Sequence, residues 1–283
     1  MRDLVVKAGE IREKLALATR RIGNVHIGGP MSAADVTTAI YYKYMGFDPD
    51  NLDDPNRDRF ILSKGHNGIL LFTIFCDMGM YDWDLLLDTY NTIGHPFGAH
   101  PNHKRVKGIE VSTGSLGHGL PIAVGTGLAA RVLGKDYKTY CILGDGECDE
   151  GSNWEAAMSA AHFKVDNVIS FVDRNKCMID GRTEDVMSLE PFADKWRAFG
   201  FIVKEVDGHN FNELSEAIDF ALENKGAPVM IIANTIKGEG IDFMEDNYLW
   251  HYGAIDDEKY AKAKESLDKH YAKRVARAEK EGV

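Results

Sequence analysis

The chain has 283 residues, 44% hydrophobic and 27% charged, a composition that excludes a collagen-like, disordered or membrane-bundle protein. Its 33 Lys and Arg face 44 Asp and Glu, for a formal charge of −11; this argues against a nucleic-acid-wrapping protein or a polybasic membrane binder, and an anionic ligand would need a local pocket. The length approaches the limit of one hydrophobic core, so one large α/β domain or two modest ones are expected from length alone. Cys76, Cys141, Cys148 and Cys177 form no CxxC pair and no metal-ligand rhythm, which fits a reducing, cytoplasmic compartment. The first ten residues alternate charge with apolar side chains, unlike a secretory leader. Apolar runs such as 69–72 fall far short of the ~20 residues a membrane-spanning helix needs.

In chain order, Leu4, Ala8, Ile11, Leu15, Ala18 and Ile22 recur every three or four residues and predict an amphipathic helix ending near Gly23. A second helix is expected over 33–44, with Ser32 as its N-cap. Residues 51–59 have turn composition and lead into a short strand at 60–62. Helices are expected at 69–78 and 83–90, the latter capped by Asp82. Residues 94–107, with two His-Pro pairs, read as an irregular loop. Beyond it, β-rich runs at 139–143, 167–172, 201–206 and 228–235 alternate with helical stretches. That alternation predicts right-handed βαβ units and a parallel sheet flanked by helices on both faces. From Asp256 a mixed-charge helical appendage (256–283) carries Tyr260, Ala263, Leu267, Tyr271 and Val275 on one stripe, and is expected to pack on the sheet or on another chain.

The chemistry concentrates at two strand ends. Strand 139–143 runs into Gly144-Asp145-Gly146-Glu147, and the next strand ends in Asp173-Arg174-Asn175-Lys176. Taken alone, Gly-Asp-Gly is more commonly an ordinary turn. An Asp carboxylate and an Asn carbonyl at neighbouring strand ends are, however, hard oxygen ligands for Mg²⁺ or Ca²⁺, which complete their shells with water and substrate phosphates. The ligand this implies is a diphosphate.

GDG followed by Asn at this spacing resembles the thiamine-diphosphate motif, and the surrounding segments resemble the N-terminal part of a transketolase. RDRFILSKGH at 57–66 is similar to that family's RDRF-x-LS-x-GH segment, and VSTGSLGHG at 111–119 to its TTGPLGQG loop. The resemblance extends over roughly residues 5–255. It implies a single domain of thiamine-diphosphate-binding fold over 1–283, with Asp145, Asn175 and the backbone carbonyl of Cys177 as metal ligands. It further implies that Gly146, His66 and His251 lie at the diphosphate, that Gly114, Ser115 and Leu116 hold the cofactor rings, and that Glu150 joins two cofactor sites across a dimer. His26 and His100 complete the family's set of catalytic histidines with His66 and His251. Counting from Ile93-Gly94 and back from Gly108-Ile109-Glu110 selects His100 over His95. Imidazoles suit a reaction that holds a carbonyl and its hydroxyls and moves a proton, while the cofactor carries the carbon–carbon chemistry. His103, His162, His209 and His270 read as ordinary surface or core histidines.

Transketolases are longer than this chain. The glutamate that activates the aminopyrimidine and the residues that grip the sugar phosphate lie, in that family, in a pyrimidine-binding and a C-terminal domain. The resemblance therefore implies a split enzyme: a second polypeptide carrying those domains, an α2β2 assembly, and transfer of a two-carbon ketol unit from a ketose to an aldose, with no nucleic-acid or membrane partner. Lys64 and His118 depart from the family pattern near its substrate channel, and an added cation and imidazole there would favour an unusual anionic or modified sugar, unless both face solvent as neutral drift. The competing readings are the α subunit of a 2-oxoacid dehydrogenase, a deoxyxylulose-phosphate synthase fragment, and a non-catalytic cofactor-binding subunit. A zinc hydrolase is disfavoured by the lack of HExxH spacing.

Overall fold

A computed structural model describes residues 1–281. Helix α1 (Arg2–Ile22) is followed by the two-residue strand β1 (Val25–His26) and by α2 (Gly28–Ala39), which runs on as a π turn over Ile40–Tyr44. Strand β2 (Arg59–Leu62), α3 (Gly68–Asp77), α4 (Trp83–Thr89) and a long loop precede α5 (Gly119–Val132). Then β3 (Thr139–Gly144), α6 (Gly151–His162), β4 (Val168–Arg174), α7 (Thr183–Val186), α8 (Phe192–Ala198), β5 (Ile202–Asp207), α9 (Phe211–Glu223) and β6 (Val229–Asn234) alternate. Strand β7 (Tyr252–Gly253) and α10 (Asp257–Glu281) follow. No described helix is long and apolar enough to cross a membrane.

Five strands form a parallel sheet in the order β2-β3-β4-β6-β5. Two cores cover its faces. Tyr140, Ile142, Ile169, Phe171, Val229 and Ile231 face one, beneath α1, α2, α3 and α9. Cys141, Leu143, Val168, Val172, Met230 and Ile232 face the other, against α5, α6 and α8. Burial on both faces explains why these strands read as continuous apolar runs rather than alternating ones. Helices α1, α3 and α4 and the central strands thus match the expected pattern closely, including Asp82, whose carboxylate accepts the Leu85 N–H at 2.8 Å.

Two local expectations differ. Helix α2 begins at Gly28 rather than after Ser32, because all twelve of its residues are buried and packing overrides the weak helix propensity of Gly28 and Gly29; Pro30 sits in the first turn, where no N–H is required. Ser32 is consequently no cap. Its hydroxyl lies 2.6 Å from Asp173 Oδ2. Strand β4 runs two residues past the expected end, so Asp173 and Arg174 belong to the sheet.

Helix α10 lies along α1. Ala263 and Leu267 are buried on its predicted stripe, and Gly9 of α1 is what admits the Tyr271 ring, since a Cβ there would stand 2.9 Å from it. Strands β1 and β7 pair antiparallel, His26 opposite Tyr252. This short ladder ties an early and a late segment of the chain together beside the carboxyl edge of the main sheet.

Candidate functional site

Gly144 and Asp173 are register partners in β3 and β4, so the residues just beyond them emerge side by side, where parallel sheets bind ligands. Asp145 is 2% exposed. Its Oδ1 accepts the Gly146 N–H at 2.8 Å and its Oδ2 the Lys176 N–H at 2.6 Å. The second bond is possible because Lys176 takes a left-handed turn, φ 60°. Asn175 donates its Nδ2 to Ser32 Oγ at 3.2 Å and to Asp173 Oδ2 at 3.3 Å, which turns its Oδ1 the other way, 3.1 Å from the Cys177 N–H.

A cleft of about 440 Å³ opens over these two residues, within the range of small-molecule sites. Its lining includes His26, His66, His100, His251, Gly114, Leu116, Asp145, Gly146, Glu150, Asn175 and Cys177. Four histidines from four separate segments converge there: ring centroids of His26 stand 5.4 Å from His66, 5.3 Å from His251 and 6.1 Å from His100, and His66 and His251 are 5.1 Å apart. His100 rather than His95 borders the cleft. Gly114, at φ 143°, lies against the His100 ring, and a Cβ on Gly65 would meet the Gly114 nitrogen at 2.5 Å; the two motif loops approach that closely because both are glycine there. Ser115 is exposed and not part of the lining.

Sequence reasoning missed three residues. Lys237, 1% exposed, sits just past the end of β6 in the same cleft. Its Nζ lies 3.1 Å from His251 Nδ1, 3.2 Å from the Met178 carbonyl and 3.4 Å from that of Cys177. Its position after a parallel strand, in Thr235-Ile236-Lys237-Gly238, was the available signal. Asp173 binds Lys64 Nζ at 2.6 Å as well as Ser32, Asn175 and the Thr235 hydroxyl. Glu147, in the turn after Asp145, accepts the Gly117 N–H at 2.9 Å, the Gly144 N–H at 3.0 Å and the Ser63 hydroxyl, and so ties the 114–117 loop to the strand end.

Lys64 is thus committed to a buried ion pair, in which it outweighs burial and holds Asp173 below the usual carboxylate range. His118 is exposed, its Nδ1 3.1 Å from the Leu116 carbonyl. Lys64 lines the cleft with its charge paired to Asp173, and His118 is not among the lining residues.

The charges left over are informative. Burial, and then the nearby Asp173, push Asp145 up to about 6. Burial, and then Lys64, bring Lys237 down to about 8. One cleft therefore contains a carboxylate whose cation, Arg174, stands no closer than 3.8 Å, and an ammonium whose hydrogen-bond partners are carbonyls and a histidine ring. Asp145, Asn175 and the Cys177 carbonyl supply hard oxygens of the kind Mg²⁺ and Ca²⁺ take, and these residues fit such a group. Among the described residues no three His, Cys, Asp or Glu side chains gather as a metal cluster.

The histidines are neutral. Burial and then the neighbouring His100 and Lys237 hold His26 at about 4; burial and then Lys237 hold His251 at about 3; burial and then Lys64 hold His66 well below its usual value. In the ligand-free chain their ring ¹⁵N shifts are expected to stay those of neutral imidazole from about pH 5 to about pH 8, the window in which an unperturbed histidine titrates. A titration step of any of the three in that window would contradict the electrostatics described here.

The family model for the transketolase thiamine diphosphate binding domain matches residues 7–279. The chain is 41% identical over 270 residues to a 6-deoxy-6-sulfo-D-fructose transketolase subunit of Clostridium sp. (strain MSTE9), covering 95% of this chain and 98% of that one. It is 37% identical over 278 residues to an apulose-4-phosphate transketolase subunit of Phocaeicola vulgatus, covering 98% and 97%. The structure superposes on transketolase from Campylobacter jejuni with a TM-score of 0.88 at 30% identity, covering 95% of this chain and 43% of the other. The chain therefore spans less than half the length of that solved transketolase.

Proposed function

The chain belongs to the transketolase family as a thiamine-diphosphate-binding subunit, and we propose that, with a second polypeptide, it transfers a two-carbon ketol unit from an anionic ketose to an aldose. The observation that carries this reading is the convergence of Asp145, Asn175 and the Lys237 ammonium in one histidine-lined cleft. Relatives of the same length are named as subunits, which supports a partner bearing the pyrimidine-binding and C-terminal domains, in an α2β2 assembly. Their named sugars carry a sulfonate or a phosphate, which supports an anionic ketose donor. Four free thiols support a reducing, cytoplasmic setting.

When bound, thiamine diphosphate supplies the electron sink through which the ketose carbon–carbon bond is broken and remade. The chain's own residues bind and orient. Asp145, Asn175 and the Cys177 carbonyl would hold Mg²⁺ or Ca²⁺. Lys237, His66 and His251 would face the diphosphate, Lys237 as the charge and the histidines as hydrogen-bond partners, and Gly146, whose N–H is given to Asp145, would let the backbone approach it closely. The loop of Gly114, Ser115 and Leu116, fixed by Glu147, supports the cofactor rings. His26 and His100, on the cleft wall, donate to or accept from the ketose carbonyl and hydroxyls and pass a proton between them. Glu150, exposed at the cleft margin, reaches toward a second copy.

The test is reconstitution. The chain alone, given thiamine diphosphate and Mg²⁺, is expected to show no ketol transfer, and the mixture with its partner to turn over sulfonated or phosphorylated ketoses. Turnover by the chain alone overturns the split site. Release of carbon dioxide from a 2-oxoacid would favour the 2-oxoacid dehydrogenase reading, and cofactor binding with no turnover on any ketose a non-catalytic role.

A further inference from the structure

His209, on the turn between β5 and α9, lies outside the cleft, yet it connects a buried charge cluster to Lys237. Its Nδ1 stands 2.8 Å from Asp35 Oδ2, and its Nε2 receives the Ile236 N–H at 2.9 Å. A backbone amide only donates, so Nε2 is the acceptor and the ring proton sits on Nδ1, facing the carboxylate. Asp35 is fully buried and held there by two guanidiniums. Arg12 of α1 reaches it at 2.8 Å and 3.2 Å, and Arg274 of α10 at 3.1 Å and 3.2 Å. Arg274 also donates to the His209 carbonyl at 2.7 Å, bracing the residue from its other side. The Glu239 carboxylate is the other charged group facing the ring, 3.6 Å from Nε2.

Ile236 immediately precedes Lys237. The turn is also tied by the Thr235 hydroxyl to Asp173 and by backbone bonds from the Thr235 N–H to the Arg174 carbonyl, from the Gly238 N–H to that of Gly28, from the Glu239 N–H to that of Ile236 and from the Asp246 N–H to that of Lys237; His209 is the side chain that holds the Ile236 amide. We infer that His209 is a positioning residue: through the Asp35–His209–Ile236 relay it sets the turn that presents the Lys237 ammonium to the diphosphate, and the C-terminal helix α10 belongs to that brace. The inference rests on the reading of Lys237 as a diphosphate-binding group. The same logic governs metal sites, where an outer carboxylate fixes the tautomer and aim of a histidine whose other nitrogen does the work.

Two substitutions separate the halves of the relay in the assembled two-chain enzyme. His209→Asn keeps a donor for Asp35 and loses the acceptor for Ile236, whereas His209→Gln keeps an acceptor near the Nε2 position. His209→Asn is expected to weaken equilibrium binding of thiamine diphosphate and of Mg²⁺-pyrophosphate by about tenfold, with the KM for ketose unchanged, and His209→Gln to stay within about threefold of wild type. In a Lys237→Met background, His209→Asn is expected to add nothing. Equal effects of Asn and Gln, or an Asn effect that persists without Lys237, would reduce His209 to a structural role and overturn the proposal. In ¹⁵N-histidine-labelled full-length chain, which needs no variant, His209 is expected to show a protonated Nδ1 and an unprotonated Nε2; the reverse tautomer overturns the proposal as well. Failure of the wild-type assembly to bind thiamine diphosphate would instead defeat the functional reading.

Discussion

Asp145→Ala and Asn175→Ala assemblies are expected to bind thiamine diphosphate with Mg²⁺ at least ~100-fold more weakly than wild type, since even residues behind a metal's direct ligands change affinity by ~10–100-fold. Isothermal titration of cofactor into the metal-saturated assembly measures this directly. Retention of full affinity by either variant would falsify the assignment of the strand-end pair as the metal site. The Asp145 effect carries a pH signature that the Asn175 effect lacks. With its carboxyl pushed up to about 6, a proton competes with the metal, so wild-type affinity is expected to be flat above about pH 6 and to fall below it. Stability moves the other way. A carboxyl whose folded value is raised stabilises the fold fully below its unfolded value and loses that contribution as pH rises through the folded one. The cofactor-free chain is therefore expected to lose on the order of 2–3 kcal/mol from this group between about pH 4 and about pH 6. Metal and cofactor should restore it, a stabilisation readable as a ligand-dependent rise in Tm.

Asp35→Ala is expected to cost about 3–5 kcal/mol of stability, the range for breaking a buried ion pair from one side. Arg12 and Asp35 are both inaccessible to solvent, and removing the carboxylate leaves Arg12 without its ionic partner and Arg274 facing a void. The cluster joins α1, α2 and α10, so urea unfolding of the full chain is the measurement, and a change below about 1 kcal/mol would sink the idea that it holds the helices together. The acid limb gives an independent check. Burial alone would raise the Asp35 carboxyl, but Arg12 and then Arg274 outweigh it and hold it well below the carboxylate range. A depressed carboxyl contributes stability that is present above its unfolded value and lost as pH falls through the folded one. Wild type should consequently lose this contribution below about pH 4, and the variant, having none to lose, should show a shallower acid limb.

What could be read from one dimension and what could not divides along a physical line. The apolar runs at 139–143 and 167–172 already announce parallel strands, because burial on both faces of a sheet leaves no alternation. Gly-Asp-Gly by itself reads as an ordinary turn, and it is the later Asn175, at the end of the neighbouring strand, that makes a hard-oxygen pair an expectation. The four cleft histidines stand out only when their motifs are taken together as a family resemblance, and it is the antiparallel pairing of His26 with Tyr252, with the Ile27 N–H on the His251 carbonyl, that brings His26 to His251.

Lys237, Asp173 and His209 were different. A lysine after a strand, an aspartate at a strand end and a histidine in a turn are each unexceptional locally. Their roles arise once the order β2-β3-β4-β6-β5 sets β6 beside β4, so that Lys237 enters the cleft of Asp145, and once α10 folds back on α1 to lock Asp35. Lys64 shows the reverse: its departure from the family pattern is visible locally, whereas the partner of its charge, Asp173, lies 109 residues further along the chain. Local periodicity and turn chemistry act over a few residues and are written into the chain itself. Compensation of a buried charge is settled between residues tens to hundreds of positions apart, and only close packing determines which of them meet.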